Sequence, residues 1–580
     1  MKIRGRSFLV CLGLLCHSAA HGQQYTIKTL AGNGSAAFVD GDLSAAQLNS
    51  PGAVALDSKG TLYIADTGNH CIRTISGSNI STFAGTCGTI GYSGDKAAAT
   101  AAKLNAPAGL AFDSKDNLYI ADTGNSVIRK ITGSTITTVA GDYGRALPYG
   151  GDGGLATAAF LDGPTAAVLD SAGNLYIADT GNSLIRKVDD KTQIITSYLG
   201  SGVTDKRLDH PNGLWFDASG ALYIADSNHQ SVAKYVALTL STIANRFQEA
   251  LFSGDGGPAI TARLNKPVGV TIDAAGSVYI ADTNNSRIRK ITPDGIITTI
   301  AGSKFTGYNG DGGSATDAWL NFPRSIAVRS DGTVYIADTN NHVIRVLTPT
   351  FPTINSNGVT NAASFAARIS PGALASIFGT GFGTATYQAD DGFAWPTTAN
   401  FVSVKVNGVA APLYYVSPGQ INFQVPWATP TTGTVNVAVL FNGGSSNIVA
   451  VPVATAAPGL FYLPHGAAIV QNTPSYSLNE ASNPAPAGST IIAYLTGSGP
   501  VSPTAKDGAP TRTDTLTSAT SAVTAKIGST LATVSFTGLT PGFIGLVQMN
   551  IVVPPLAAGV YPLPITVDGQ TASSATIAGK

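Results

Sequence analysis

Short runs of alternating apolar and polar residues fill the first 350 positions, and one of them recurs six times. It reads Leu62-Tyr-Ile-Ala-Asp66-Thr-Gly-Asn69, and returns at Leu118–Asn125, Leu175–Asn182, Leu222–His229, Val278–Asn285 and Val334–Asn341. The repeat aspartates 66, 122, 179, 226, 282 and 338 are 56, 57, 47, 56 and 56 residues apart. Each period holds four such runs, rich in β-branched and aromatic residues and bounded by Gly, Asn, Asp and Ser, which predicts four strands. The first follows a proline, as in Pro51-Gly-Ala-Val-Ala-Leu-Asp57. The second ends at the repeat aspartate, the third is Cys71–Ile75 and the fourth Ile80–Ala84. Four-stranded units at this period predict propeller blades, here six. No fourth strand follows the sixth third-strand run, which ends at Thr348. Tyr25-Thr-Ile-Lys-Thr-Leu-Ala-Gly32 matches Gly295–Gly302 and is expected to complete that blade, which closes the ring and removes an exposed edge.

The phrases Ala65-Asp-Thr-Gly-Asn-His-Cys-Ile-Arg73 and Ala337-Asp-Thr-Asn-Asn-His-Val-Ile-Arg345 resemble NHL repeats. The resemblance covers residues 25–349 and implies a six-bladed NHL propeller. Propellers of this kind include protein-binding, RNA-binding and sensor-linked members and a zinc lyase, so the fold by itself leaves the activity open.

Residues shared by every copy read as scaffold. The Asp-Thr/Ser-x-Asn/His cluster is expected to cap a turn through its own backbone. Arg73, Arg129, Arg186, Arg289 and Arg345 lie seven positions past their aspartates, which predicts an ion pair between neighbouring strands or blades. Long inserts join one blade to the next, and several carry Gly-Asp-Gly, as in Gly150-Gly-Asp-Gly-Gly154. That pattern lacks the ligand density of a calcium loop and reads as a turn.

After Thr348-Pro-Thr-Phe-Pro352 the composition shifts to Ala, Thr, Pro, Gly and Val. Two similar halves follow. Pro418-Gly-Gln-Ile-Asn-Phe-Gln-Val-Pro426 matches Gln548-Met-Asn-Ile-Val-Val-Pro554, and each precedes a pair of strands. Two β-sandwich units are expected, resembling the paired immunoglobulin-like C-terminal region of bacterial exported proteins. The expected organisation is therefore all-β: a signal over 1–22, a six-bladed propeller over 23–349, and immunoglobulin-like sandwiches over 350–458 and 459–580.

Lys2, Arg4 and Arg6 before the apolar run Phe8–Cys16, with small residues after it, mark an export signal. The run is too short to span a bilayer, no later segment looks transmembrane, and no membrane span is expected after cleavage. The 34 basic and 34 acidic residues balance, which argues against nucleic acid as a partner. Export leaves Cys71 and Cys87, which are expected to form a disulfide. The expected location is secreted, periplasmic or cell-surface.

Candidate binding residues are sought where the copies disagree. The passage from blade three to blade four, Gly200 to His210, is shorter and lacks Gly-Asp-Gly-Gly. Trp215 stands where other first strands carry Ala55, Ala111, Ala167, Thr271 and Ala327, so that it either plugs extra space, as a tryptophan mostly does, or faces a ligand, and blade four has His229 for Asn and Ala233 for Arg. Arg207, His210, Trp215 and His229 are thus the candidate site on the insert-bearing face. His70, His210, His229 and His342 admit a weaker zinc reading, since three histidines with an open position make a catalytic zinc site. No nucleophile elbow, phosphate loop or metalloprotease motif occurs, and no cofactor is expected. The reading is an exported, non-enzymatic binding or scaffold protein that recognises an extracellular protein or glycan. The alternatives are a propeller enzyme of lyase or lactonase type with a metal at the ring centre, and a structural or adhesion protein of the cell surface.

Overall fold

The computed structural model describes residues 25–144, 149–200, 207–383, 386–390, 392–441, 444–464, 466–572 and 575–580. The export signal expected over 1–22 lies outside them. Two compact units are present, Gln24–Thr350 and Phe351–Lys580.

The first unit is a six-bladed β-propeller. Every blade is an antiparallel sheet, and in blades one to five the strands run outward in chain order. In blade one they are Ala53–Leu56, Leu62–Asp66, Cys71–Ser76 and Asn79–Ala84. The second strands are Leu-Tyr-Ile-Ala-Asp or Val-Tyr-Ile-Ala-Asp, and in five blades every residue of them is buried. A strand covered on both faces by adjacent blades reads as a continuous apolar run, which explains the phrase that recurs. In blade six the fourth strand is Tyr25–Ala31, paired antiparallel with Val343–Pro349 from Tyr25 opposite Pro349 to Ala31 opposite Ile344. The N-terminal strand therefore closes the ring.

Inserts also cover blade edges. Gly41–Asp42, Ala97–Ala98 and Gly257–Pro258 each add two residues to the outer strand of a blade. Blade four has no such cover on Thr239–Ala244 among the described residues.

The second unit contains two immunoglobulin-like sandwiches. The first buries one face of Val402–Val406 and Thr434–Phe441, as strict alternation requires, and its core runs from Ile354 to Val453. The second has its own core, from Ala456 to Ile577. The matching segments occupy matching strands. Gln420–Gln424 pairs with Leu374–Thr380, and Val547–Val552 pairs with Thr490–Thr496. Among the described residues no helix is long and apolar enough to cross a membrane, which does not bear on β-barrels.

Candidate functional site

The repeat residues build the face on which the inserts lie. In all six blades the repeat aspartate accepts through Oδ1 from a backbone N–H seventeen residues upstream, in the insert, at 2.7–2.8 Å. The next hydroxyl, Thr67 and its five equivalents, donates to the carbonyl of the proline that opens the following blade, at 2.5–2.8 Å. The expected local turn cap is thus a bond between blades: a turn projecting from the sheet edge lies closer to its neighbour than to its own backbone.

Each arginine is fully buried and does more than pair with its own aspartate. The distance to that aspartate is 2.9–3.5 Å. The other side of the guanidinium meets the carboxylate of the Gly-Asp turn in the insert, Asp95, Asp152, Asp255 or Asp311, at 2.5–2.8 Å. Asp40 takes this place for Arg73. An aromatic ring from the same insert, Phe38, Tyr92, Tyr149, Phe252 or Tyr308, lies over the guanidinium with its centre 4.8–5.3 Å away. The insert aspartate therefore anchors the loop to the blade. Gly94 just before Asp95 has φ +89°, and a Cβ there would lie 2.7 Å from Ala102 Cα, so the turn needs glycine. Burial pushes the carboxyls of Asp66, Asp122, Asp282 and Asp338 up to about 6, against the pull of the arginine and the amide donors.

Blade four lacks this assembly. Ala233 replaces the arginine, and His229 Nδ1 meets Asp226 Oδ2 at 2.8 Å where other blades use asparagine. His210 Nδ1 lies 2.6 Å from Asp209 Oδ1 and 2.9 Å from Asn228 Nδ2. His210 and His229 thus stand on adjacent turns of one face, with Arg207 on the chain leading to them. Trp215 does not join them. It is four residues into the innermost strand, about 13 Å along it, and lines a central channel of about 90 Å³. Its true equivalents are those that pair with the repeat tyrosine, namely Ala55, Ala111, Val168, Thr271 and Ala327. Val168, and not Ala167, is the counterpart, because pairing rather than distance from the proline sets the register.

The histidines read as zinc candidates do not converge. His70 and His342 adopt left-handed backbone, and each accepts at Nδ1, 3.0 Å from the backbone nitrogen of Ala106 or Ser50 at the mouth of the next blade. Gln230 does the same in blade four, its Oε1 2.6 Å from Lys266 N. Among the described residues no three His, Cys, Asp or Glu side chains are placed to hold a metal ion. Burial holds both histidines below their ordinary pKa. A depressed folded value means the bond stabilises above about pH 6.5, the unfolded value, and is lost as pH falls through the folded one. The double variant His70→Gln/His342→Gln is therefore expected to match the parent at pH 7.5. At pH 5 it should be the more stable by about 0.5–1.5 kcal/mol per bond, as urea melts at both pH values would measure.

Cys71 and Cys87 are joined by a disulfide, their Cα atoms 5.0 Å apart. It ties a third strand to the following insert and contributes about 3 kcal/mol for a loop of this length.

Sequence reasoning missed an asymmetry at the channel mouth. The residues flanking the entry proline are Ser50 and Gly52, Ala106 and Ala108, and Gly163 and Thr165 in blades one to three. In blades four to six they are His210 and Asn212, Lys266 and Val268, and Phe322 and Arg324. The second member of each pair lines the channel. His210, Lys266, Phe322 and Arg324 are exposed, whereas Ser50, Ala106 and Gly163 are not fully so. The neighbouring blades partly desolvate the Arg324 guanidinium, which still reaches solvent, and hold it below its ordinary pKa. Aligning the six prolines and reading the residue on either side would have found this crescent.

A model of the NHL repeat matches residues 48–75 and 320–347, and one of the teneurin NHL domain matches 246–307. A model of the IPT/TIG domain matches 362–451. The chain carries NHL repeats and an IPT/TIG domain. Teneurin-3 of Danio rerio is 28% identical over 395 residues, covering 59% of this chain, which spans 14% of that protein. Protein SUPPRESSOR OF QUENCHING 1, chloroplastic, of Arabidopsis thaliana is 31% identical over 335 residues, 53% of this chain and 31% of its own length. A solved auxiliary nutrient binding protein from Bacteroides thetaiotaomicron superposes with a TM-score of 0.43 at 19% identity, over 56% of this chain and 76% of its own. An NHL propeller joined to an IPT/TIG domain fits a binding or scaffold role.

Proposed function

We propose that this is an exported binding protein whose insert-bearing propeller face recognises an extracellular protein or glycan with acidic groups. The observation that carries this reading is the crescent of His210, Lys266, Phe322 and Arg324 at the channel mouth, set against small residues on the opposite three blades. A basic mouth in a chain that balances overall focuses attraction for anions at one place. Arg207 adds a further positive charge on the same face. The inserts also expose Tyr143, Phe247 and Phe305, each between 47% and 49% accessible, beyond the rings that cover the buried arginines. Exposed aromatic and arginine side chains grouped on one face are the composition of a recognition surface. Isolated surface rings would be scattered over both faces.

Polygalacturonate, hyaluronate and poly-glutamate are suitable probes, titrated onto the intact chain. The variant Lys266→Ser/Arg324→Gly gives blades five and six the residues of blade one and leaves the buried framework untouched. At least one probe should bind the parent, and the variant should bind it at least tenfold more weakly with an unchanged melting curve. Equal binding by the variant, or no binding of any probe by the parent, would reject the reading.

A further inference from the structure

Within the unit Phe351–Lys580, where the first sandwich meets the second, lies a pocket of about 250 Å³. Leu374, Trp395, Tyr414 and Asn422 come from the first sandwich, and Phe461 and Tyr494 from the second. No charged side chain lines it among the described residues. Its walls are held from both sides. Leu374 N donates to Thr496 Oγ1 at 2.7 Å, Gly508 N to Gln424 Oε1 at 2.7 Å, and Trp395 N to Gly508 O at 2.8 Å. The Trp395 and Tyr414 rings lie 4.9 Å apart. Such a pocket is preformed and needs no rearrangement to accept a guest.

One polar side chain in it is left unfinished. Asn422, on the strand Gln420–Gln424, is 5% exposed. Its Oδ1 accepts from Ser376 Oγ at 3.0 Å and from Gln420 Nε2 at 2.9 Å. Two donors on Oδ1 fix the amide, and the remaining end, Nδ2, has no hydrogen-bond partner. Buried amide donors are almost always paired, so an orphan in a pocket wall marks a missing acceptor. The matching Asn550 of the second sandwich is only half-buried, accepts at Oδ1 from Gln548 Nε2 at 3.5 Å, and lines no such pocket.

We infer that this pocket binds an uncharged, mainly apolar molecule of about two rings whose carbonyl oxygen accepts a hydrogen bond from Asn422 Nδ2. The size follows from volume, since a dry cavity of ~150 Å³ holds one benzene ring. The flat shape follows from the aromatic walls, which favour stacked or edge-on rings. The acceptor follows from the orphan amide. An ionised ligand is disfavoured because nothing in the wall would neutralise it.

The test titrates the full chain with 2-acetylnaphthalene and with 2-ethylnaphthalene, nearly the same shape with and without an acceptor, by calorimetry and by quenching of tryptophan fluorescence. The ketone should bind roughly two- to tenfold more tightly. Leu546→Trp fills the pocket and should abolish binding of both. Trp395→Phe should remove most of the quenching and leave the calorimetric signal. Asn422→Asp keeps the acceptor for Ser376 and Gln420 but has no donor, and should erase the preference for the ketone. If that variant does not fold, the two probes and Leu546→Trp still decide. Equal affinity for ketone and hydrocarbon, or binding that survives Leu546→Trp, would overturn the inference.

Discussion

Deletion of residues 25–31 abolishes the cooperative melting of the propeller, because this strand is the whole fourth strand of blade six. Its removal leaves Val343–Pro349 with an unpaired edge. It also uncovers the surroundings of Tyr25 and Ile27, which are 2% and 1% exposed and packed with Tyr279, Ile300, Ile326 and Ile336. Burial pushes the Tyr25 hydroxyl up to about 12, with Tyr279 as its hydrogen-bond partner. The insert entering blade six loses its anchor as well, since Gly312 N donates to Ile27 O and Ala315 N to Tyr25 O. Each repeat of a ring contacts only its neighbours, so an open end propagates strain to no compensating partner. The milder variant Ile27→Asp places a carboxylate in the same apolar site, and a loss above about 4 kcal/mol is expected. Differential scanning calorimetry checks both. A deletion variant that retained a single sharp transition at the parent temperature would show that the ring is closed by other means.

The blades were legible because both terms of the pattern survive in the chain. Strand alternation marks each run, and a period near 56 residues aligns the runs. The pair Asp66–Arg73 and its equivalents were legible because seven residues place a second-strand end against the third strand. Asp95, Asp152, Asp255 and Asp311 were harder, since they lie in inserts that have no periodicity of their own. Yet each precedes its arginine by 34 residues, and the covering ring of Tyr92, Tyr149, Phe252 or Tyr308 comes three residues earlier still. Fixed spacing to a buried charge was the available signal. The irregularity of blade four was also legible, but its meaning was not. Arg207, His210 and His229 share a face because they lie in loops that project the same way. Trp215 was grouped with them although strand geometry carries it down the channel. Lys266, Phe322 and Arg324 escaped notice because they sit in otherwise regular blades, where attention to the weakest copy does not reach.

Replacing a single buried arginine should expose how closely each insert is tied to its blade. Arg345 is fully buried, with Nη1 3.4 Å from Asp338 Oδ2 and Nη2 2.6 Å from Asp311 Oδ1. Arg345→Ala leaves Asp338 buried with Asn321 N–H and Asn341 as its remaining donors. Removing one member of a buried pair costs about 3–5 kcal/mol, because the other charge stays without compensation. Asp311→Ala should cost far less, about 1 kcal/mol, since its side chain is 43% exposed and water replaces the lost partner. Blade four supplies the compensating change: with Ala233 in place of arginine, His229 meets the buried aspartate. Arg345→Ala/Asn341→His should therefore recover part of the loss, and Arg345→Ala/Asp338→Asn should recover more by removing the charge while keeping the Oδ1 acceptor. The deficit of Arg345→Ala also depends on pH. Burial already holds Asp338 near 6 with the arginine present, and removing the arginine raises it further. Between that higher value and about 6 the variant's folded state binds a proton that the parent's does not, so the deficit is full above the variant's folded value, shrinks as pH falls to about 6, and stays constant below, where Asp338 is protonated in both. Urea midpoints of the parent and the three arginine variants at pH 8 and pH 5 measure this. A deficit that is the same at both, or that Asp338→Asn does not relieve, would place the cost in lost packing rather than in the stranded carboxylate.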